Sequence, residues 1–125
     1  MSKRMRIHAG AFSLAAELND SPTAAAIYAA LPLEAAAQTW GDEIYFRIPV
    51  EQKLEDSAVE VVAVGDLGYW PTGRAFCIFF GPTPASRGDE IRPASAVNVV
   101  GKVVEDARVF RAIADGELVR LEDDS

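Results

Sequence analysis

Any nucleophilic or metal-dependent chemistry in this chain must be built from very few groups, because it carries one cysteine, Cys77, and one histidine, His8. Cys77 sits in the apolar run Phe76-Cys77-Ile78-Phe79-Phe80 and reads as a buried, inert thiol. It has no second cysteine to form a disulfide with. No Cys or His lies near it in sequence, so no metal site is expected. His8 belongs to no evident Ser-His-Asp or Cys-His arrangement and reads as a surface strand residue. The acidic pairs Asp42-Glu43 and Asp89-Glu90 read as solvated turn residues rather than metal ligands. Gly65-Asp66-Leu67-Gly68 lacks the pattern of a phosphate loop, and no helix follows it. No cofactor is expected.

A second group has more chemical content. Gln38, Trp40, Tyr45, Arg47, Tyr69 and Trp70 combine aromatic surface with one cation, a suitable lining for a small-molecule or short-peptide pocket. In that reading Arg47 anchors an anionic group on the ligand. The competing readings are core packing for the aromatics and, for Arg47, an exposed strand position paired with Glu43 or another acid, worth about 0–1 kcal/mol.

The elements that must position these residues follow from local pattern. Arg6-Ile7-His8 and Phe12 to Leu18 flank Gly10 as the arms of a hairpin. Asn19-Asp20-Ser21-Pro22 starts a helix that runs to Leu31 and stops at Pro32, with Asp20 or Ser21 as its cap. Leu33 to Trp40 and Glu43 to Val50 are joined by Gly41-Asp42, a two-residue loop with glycine leading, as in a type II′ turn. This register pairs Trp40 with Glu43, Gln38 with Tyr45 and Ala36 with Arg47. The apolar parity of Ala35, Ala37, Thr39, Ile44, Phe46 and Ile48 turns that face inward and leaves Gln38, Trp40, Glu43, Tyr45 and Arg47 facing outward or into a cleft.

Further along, Gln52 to Ser57 is a charged loop, and Val59 to Val64 reads as a strand. Gly65 to Gly73 reads as a turn-rich stretch with two large aromatics. Ala75 to Phe80 is apolar on both faces, hence a central or covered strand. Gly81 to Asp89 is a surface loop. Val97 to Val104 is a strand, Asp106 to Ala114 a short helix, and Glu117 to Leu121 a last strand before an acidic tail.

The bulk composition is that of one globular domain, with 50% hydrophobic and 25% charged residues. The net charge of −7 disfavours nucleic acid and anionic membrane surfaces as partners and leaves cationic or neutral ones. No apolar stretch of signal-peptide type follows the basic residues 1–6, and no segment approaches membrane-spanning length, so a cytoplasmic location is expected.

Specific strings carry a resemblance to a known family. Gly101-Lys102-Val103-Val104-Glu105, with the short helix after it, resembles the late segment of cyclophilins, and Gly73-Arg74-Ala75-Phe76-Cys77-Ile78 resembles their Gly-Ser-Gln-Phe-Phe-Ile run. Nearly the whole chain is similar to a family of small prokaryotic cyclophilin-like proteins of unknown function. That likeness is carried by Trp40 to Phe46, Gly65 to Pro71, Ala75 to Pro84 and Pro93 to Val99. The resemblance implies a mainly β fold, a closed eight-stranded cyclophilin-like β-barrel with two short helices. It forms one domain over residues 1–125, with flexible ends at 1–5 and 122–125.

Cyclophilins are peptidyl-prolyl isomerases. The resemblance places Arg47 at the arginine that polarises the prolyl amide, within Tyr45-Phe46-Arg47-Ile48. It also places Ala75, Cys77 and Val97 where the family has its site glutamine, pocket phenylalanine and site histidine. These replacements remove the aromatic floor and the orienting hydrogen bonds. The expected function is therefore binding of a small molecule or short peptide rather than classical isomerisation. A weak isomerase and a non-catalytic homo-oligomeric interaction protein are the alternatives.

Overall fold

Glycine at position 10 takes φ 54°, a left-handed conformation that reverses the chain between β1 (Lys3–Ala9) and β2 (Phe12–Leu18). The computed structural model describes residues 3–124. After β2, Ser21 caps helix α1 (Pro22–Ala30), its side chain accepting from the Ala24 N–H, so Ser21 rather than Asp20 takes the cap. Then come β3 (Leu33–Ala36), β4 (Gln38–Thr39), β5 (Glu43–Arg47), β6 (Asp66–Trp70), β7 (Ala75–Phe79), β8 (Asn98–Val103) and β9 (Leu118–Asp123). A 3-10 turn over Pro71–Gly73 precedes β7, and a 3-10 helix over Ala107–Ala112 lies between β8 and β9.

The nine strands form one sheet in the order β3-β9-β1-β2-β8-β6-β7-β5-β4, with every pair antiparallel. The two ends of this order, β3 and β4, are consecutive in the chain and separated by the buried Ala37. One stretch of chain thus pairs with β9 through its first half and with β5 through its second, which nearly closes the barrel. Counting that stretch once recovers the eight expected strands. The register predicted around Gly41-Asp42 holds for Gln38 with Tyr45 and for Trp40, whose N–H donates to the Glu43 carbonyl at 3.0 Å. It fails at Ala36, which pairs with Leu118 and not with Arg47. At Ala37 the chain crosses to the opposite edge, where Ala37 N–H donates to the Glu117 carbonyl at 2.7 Å.

Two other expectations are corrected. Val59 to Val64 is not a strand but a covering segment tied by single bridges, Val59 to Val97 and Val62 to Ile91. The stretch read as turn-rich contains β6, a central strand between β8 and β7. Its Gly68 marks a close approach, since a Cβ there would lie 3.1 Å from both Phe79 and Val97. Toward the two ends of the chain, Lys3, Arg4 and Met5 pair within β1, Met5 is fully buried, and Glu122 and Asp123 lie in β9. Residues 1, 2 and 125 lie outside the described residues.

Inside the barrel, Phe46 packs on Phe76 with ring centroids 5.6 Å apart, among Ile7, Leu18, Ile44, Leu67 and Ile78. A second, smaller apolar cluster lies on the outer face of the sheet, where Val62, Ala75, Cys77, Phe79, Ile91 and Val97 come together. Strand alternation requires this second cluster. β7 buries all five of its residues, so something must cover the face it does not turn to the core. The covers are the 59–62 and 91–97 segments. No helix among the described residues is long and apolar enough to cross a membrane.

Candidate functional site

The outer face of β5, β6 and β7 is a grid set by register. Tyr45 stands beside Cys77, which stands beside Gly68; Arg47 stands beside Ala75, which stands beside Trp70; Glu43 stands beside Phe79. Trp40 reaches the same end of the face from the chain just before the Gly41 turn, through its bond to the Glu43 carbonyl. Gly41 has φ 60°, and a Cβ there would lie 2.9 Å from the backbone of Thr83, so the turn seats closely on the following loop. Asp42 reinforces that seat: its N–H donates to the Pro82 carbonyl and its carbonyl accepts from the Phe80 N–H. The loop is also held internally. Thr83 donates to the Arg92 carbonyl, Ser86 Oγ accepts from the N–H groups of Thr83 and Arg92, and Arg92 pairs with Glu90 at 2.6 Å. These bonds fix Pro93 and Ala94 over the sheet.

Between sheet and cover lies a cleft of about 220 Å³ lined by Trp40, Glu43, Tyr45, Trp70, Cys77, Pro93, Ala94 and Val97. Trp70 is anchored at its rim, its Nε1–H donating to Ser95 Oγ at 2.6 Å. The three aromatic side chains are half-buried, so part of each ring borders the opening. Glu43 is the one acid in the lining and is only 5% exposed, and its Oε1 is buried without a hydrogen-bond partner. Burial pushes this carboxyl up to about 7, partly opposed by a hydrogen bond from the Cys77 thiol. Burial also pushes the Cys77 thiol well above its usual value, and the Glu43 charge adds to the effect. The thiol therefore remains protonated and serves as a donor, not a nucleophile.

The structure brings together three of the six residues singled out in the sequence, Trp40, Tyr45 and Trp70. Gln38 is exposed beside Tyr45, on the same face but outside the cleft lining. Arg47 shares the face of Tyr45 and is exposed, as the register requires. It lines a separate depression with Ile48, Pro49, Val50, Glu51 and Arg74, where Arg74 pairs with Glu51 at 2.5 Å. Tyr69 is a correction: it is fully buried on the inner face, and its hydroxyl donates to the Val50 carbonyl at 2.6 Å and accepts from the Gln52 N–H at 3.3 Å. Adjacent strand residues point to opposite faces, so Tyr69 and Trp70 could not share a cleft.

The group missed in the sequence is Glu43. Next to a turn, Asp42-Glu43 reads as two solvated acids, and only Asp42 behaves so, pairing with Arg111 at 3.2 Å. Parity already put Glu43 on the face of Tyr45; the signal left unused is that the two-sided apolar strand β7 requires that face to be covered. His8 lies elsewhere, its Nε2 2.5 Å from Glu122 on β9.

A family model described as cyclophilin-like matches residues 3–122. No curated protein matches the chain. Among solved structures, the solution structure of a hypothetical protein from Archaeoglobus fulgidus is similar, with a TM-score of 0.84 and 43% sequence identity. The alignment covers 98% of this chain and 95% of that one.

Proposed function

Since the chain belongs to the cyclophilin-like family, we propose that it is a binding protein whose cleft over β5, β6 and β7 takes a small molecule or one side chain of a short peptide. The observation that carries this reading is the lining itself, three half-buried aromatics and an unpartnered buried carboxyl around one opening. A cleft of about 220 Å³ is smaller than the roughly 300–1,000 Å³ typical of drug-sized ligands. Its occupant is accordingly about the size of a single ring or side chain. Fold membership alone assigns no reaction. The positions at which cyclophilins hold their catalytic partners are Ala75, Cys77 and Val97 here, none of which can orient a prolyl amide.

A thermal-shift screen against metabolites and short peptides tests the proposal, because a ligand that binds only the folded state raises its melting temperature. Trp40 and Trp70 are the chain's only tryptophans and both line the cleft, so intrinsic fluorescence reports the site directly. Compounds that raise the melting temperature and also change tryptophan emission support the reading. Stabilisation without any change in emission, or no stabilising compound at all, overturns it.

A further inference from the structure

We infer that the cleft selects a small organic cation, an ammonium or amidinium group carried on an apolar or aromatic body, with Glu43 as its counter-ion. The inference rests on the cleft-binding reading and adds the chemical class of the ligand. Three observations support it independently. Glu43 lines the cleft, and its Oε1 is buried with no hydrogen-bond partner, although buried carboxyl oxygens are ordinarily satisfied. No lysine or arginine lines the cleft among the described residues, so no side chain of the lining supplies a counter-charge to the carboxylate. The walls are Trp40, Tyr45 and Trp70, ring types whose π-faces attract cations.

The remaining electrostatics agree with this arrangement. The titratable groups sharing the lining with Glu43 are Tyr45 and Cys77, and the thiol donates to the Ala75 carbonyl at 3.8 Å, which leaves Glu43 Oε1 for a ligand N–H. The net charge of −7 favours approach of a cation over an anion. A carboxylate in an apolar site is also poorly solvated, so a matching cation recovers more energy there than at an exposed acid. An anionic ligand would place a second negative charge against Glu43, and Arg47 lines a separate depression.

The test uses three probes of one shape, benzylamine, benzyl alcohol and benzoate, titrated into the protein at about pH 8 with tryptophan fluorescence as readout. Benzylamine is expected to bind at least about tenfold more tightly than benzyl alcohol, and benzoate more weakly than either. In Glu43→Gln, which keeps the shape of the side chain, the preference for the amine should fall to within about twofold while benzyl alcohol binding persists. Equal binding of amine and alcohol by the unaltered protein, or tightest binding of benzoate, overturns the inference and leaves the cleft reading standing. Failure of all three to move the emission overturns both. The comparison among probes on the unaltered protein decides the matter even if the variant does not fold.

Discussion

Glu43 and Cys77 form a diagonal pair across neighbouring antiparallel strands: Tyr45 lies directly opposite Cys77, and Glu43 lies two residues back on the same face, so that carboxyl and thiol line one cleft. The pair accounts for two otherwise separate facts. Cys77 is inert as a nucleophile yet holds the rise of the carboxyl in check, and Glu43 keeps one buried oxygen without a hydrogen-bond partner.

The raised carboxyl has a definite sign in stability. Its ordinary value of 4.5 rises to about 7 on folding, so between these values the folded state binds more protons than the unfolded state. The stabilisation from the neutral form is complete below about pH 4.5 and is lost as the pH rises through about 7. Relative to Glu43→Gln, which does not titrate, the native protein should lose on the order of 3 kcal/mol of stability across that window. Urea unfolding of both proteins at a series of pH values measures the difference. A difference that stays flat, or grows in favour of the native protein, contradicts the assignment.

Two substitutions separate scaffold from site. Tyr69→Phe removes the donor to the buried Val50 carbonyl and should cost about 1–3 kcal/mol while leaving cleft binding unchanged. Arg47→Ala removes an exposed side chain from another depression and should change stability by about 1 kcal/mol or less, again without effect on cleft binding. Denaturant midpoints and fluorescence titrations check both. Loss of cleft binding in Arg47→Ala would restore the arginine-anchored site that the sequence suggested.

Prolyl isomerisation of a standard proline-containing peptide should not be accelerated appreciably. The uncatalysed barrier is about 18–20 kcal/mol, and lowering it needs a guanidinium on the prolyl nitrogen together with a pocket that orients the ring. Arg47 is exposed in one depression and the aromatic cleft is another, with Ala75 between Arg47 and Trp70. A clear catalytic rate that disappears in Arg47→Ala would contradict this separation.

The parts of the fold legible in sequence were those with an unambiguous period or turn. The Gly10 and Gly41-Asp42 reversals, the Ser21-Pro22 helix start and the two-sided apolar β7 all stood where the pattern put them. β6 was not legible, because Gly68 punctuates it like a turn while serving close packing on Phe79 and Val97. Val59 to Val64 had a strand's composition without an open edge to pair with, and two bridges are all it forms. Parity put Tyr45 and Trp40 on the face that borders the cleft. Local pattern could not show that a distant loop covers the part of the face holding Glu43 and leaves Arg47 exposed.

The central claim, that the working surface is the cleft of Trp40, Glu43, Tyr45, Trp70 and Cys77, is tested most directly by mapping a bound compound on the protein. The strongest stabilising compound from the screen would be titrated into isotope-labelled protein, with backbone amide and tryptophan indole signals followed by NMR. The account predicts that the largest shifts fall on both indoles and on the amides of Tyr45, Cys77 and Val97, and that those of Arg47, Glu51 and Arg74 barely move. Shifts concentrated on the Arg47–Arg74 depression, with the indole signals unmoved, would contradict it.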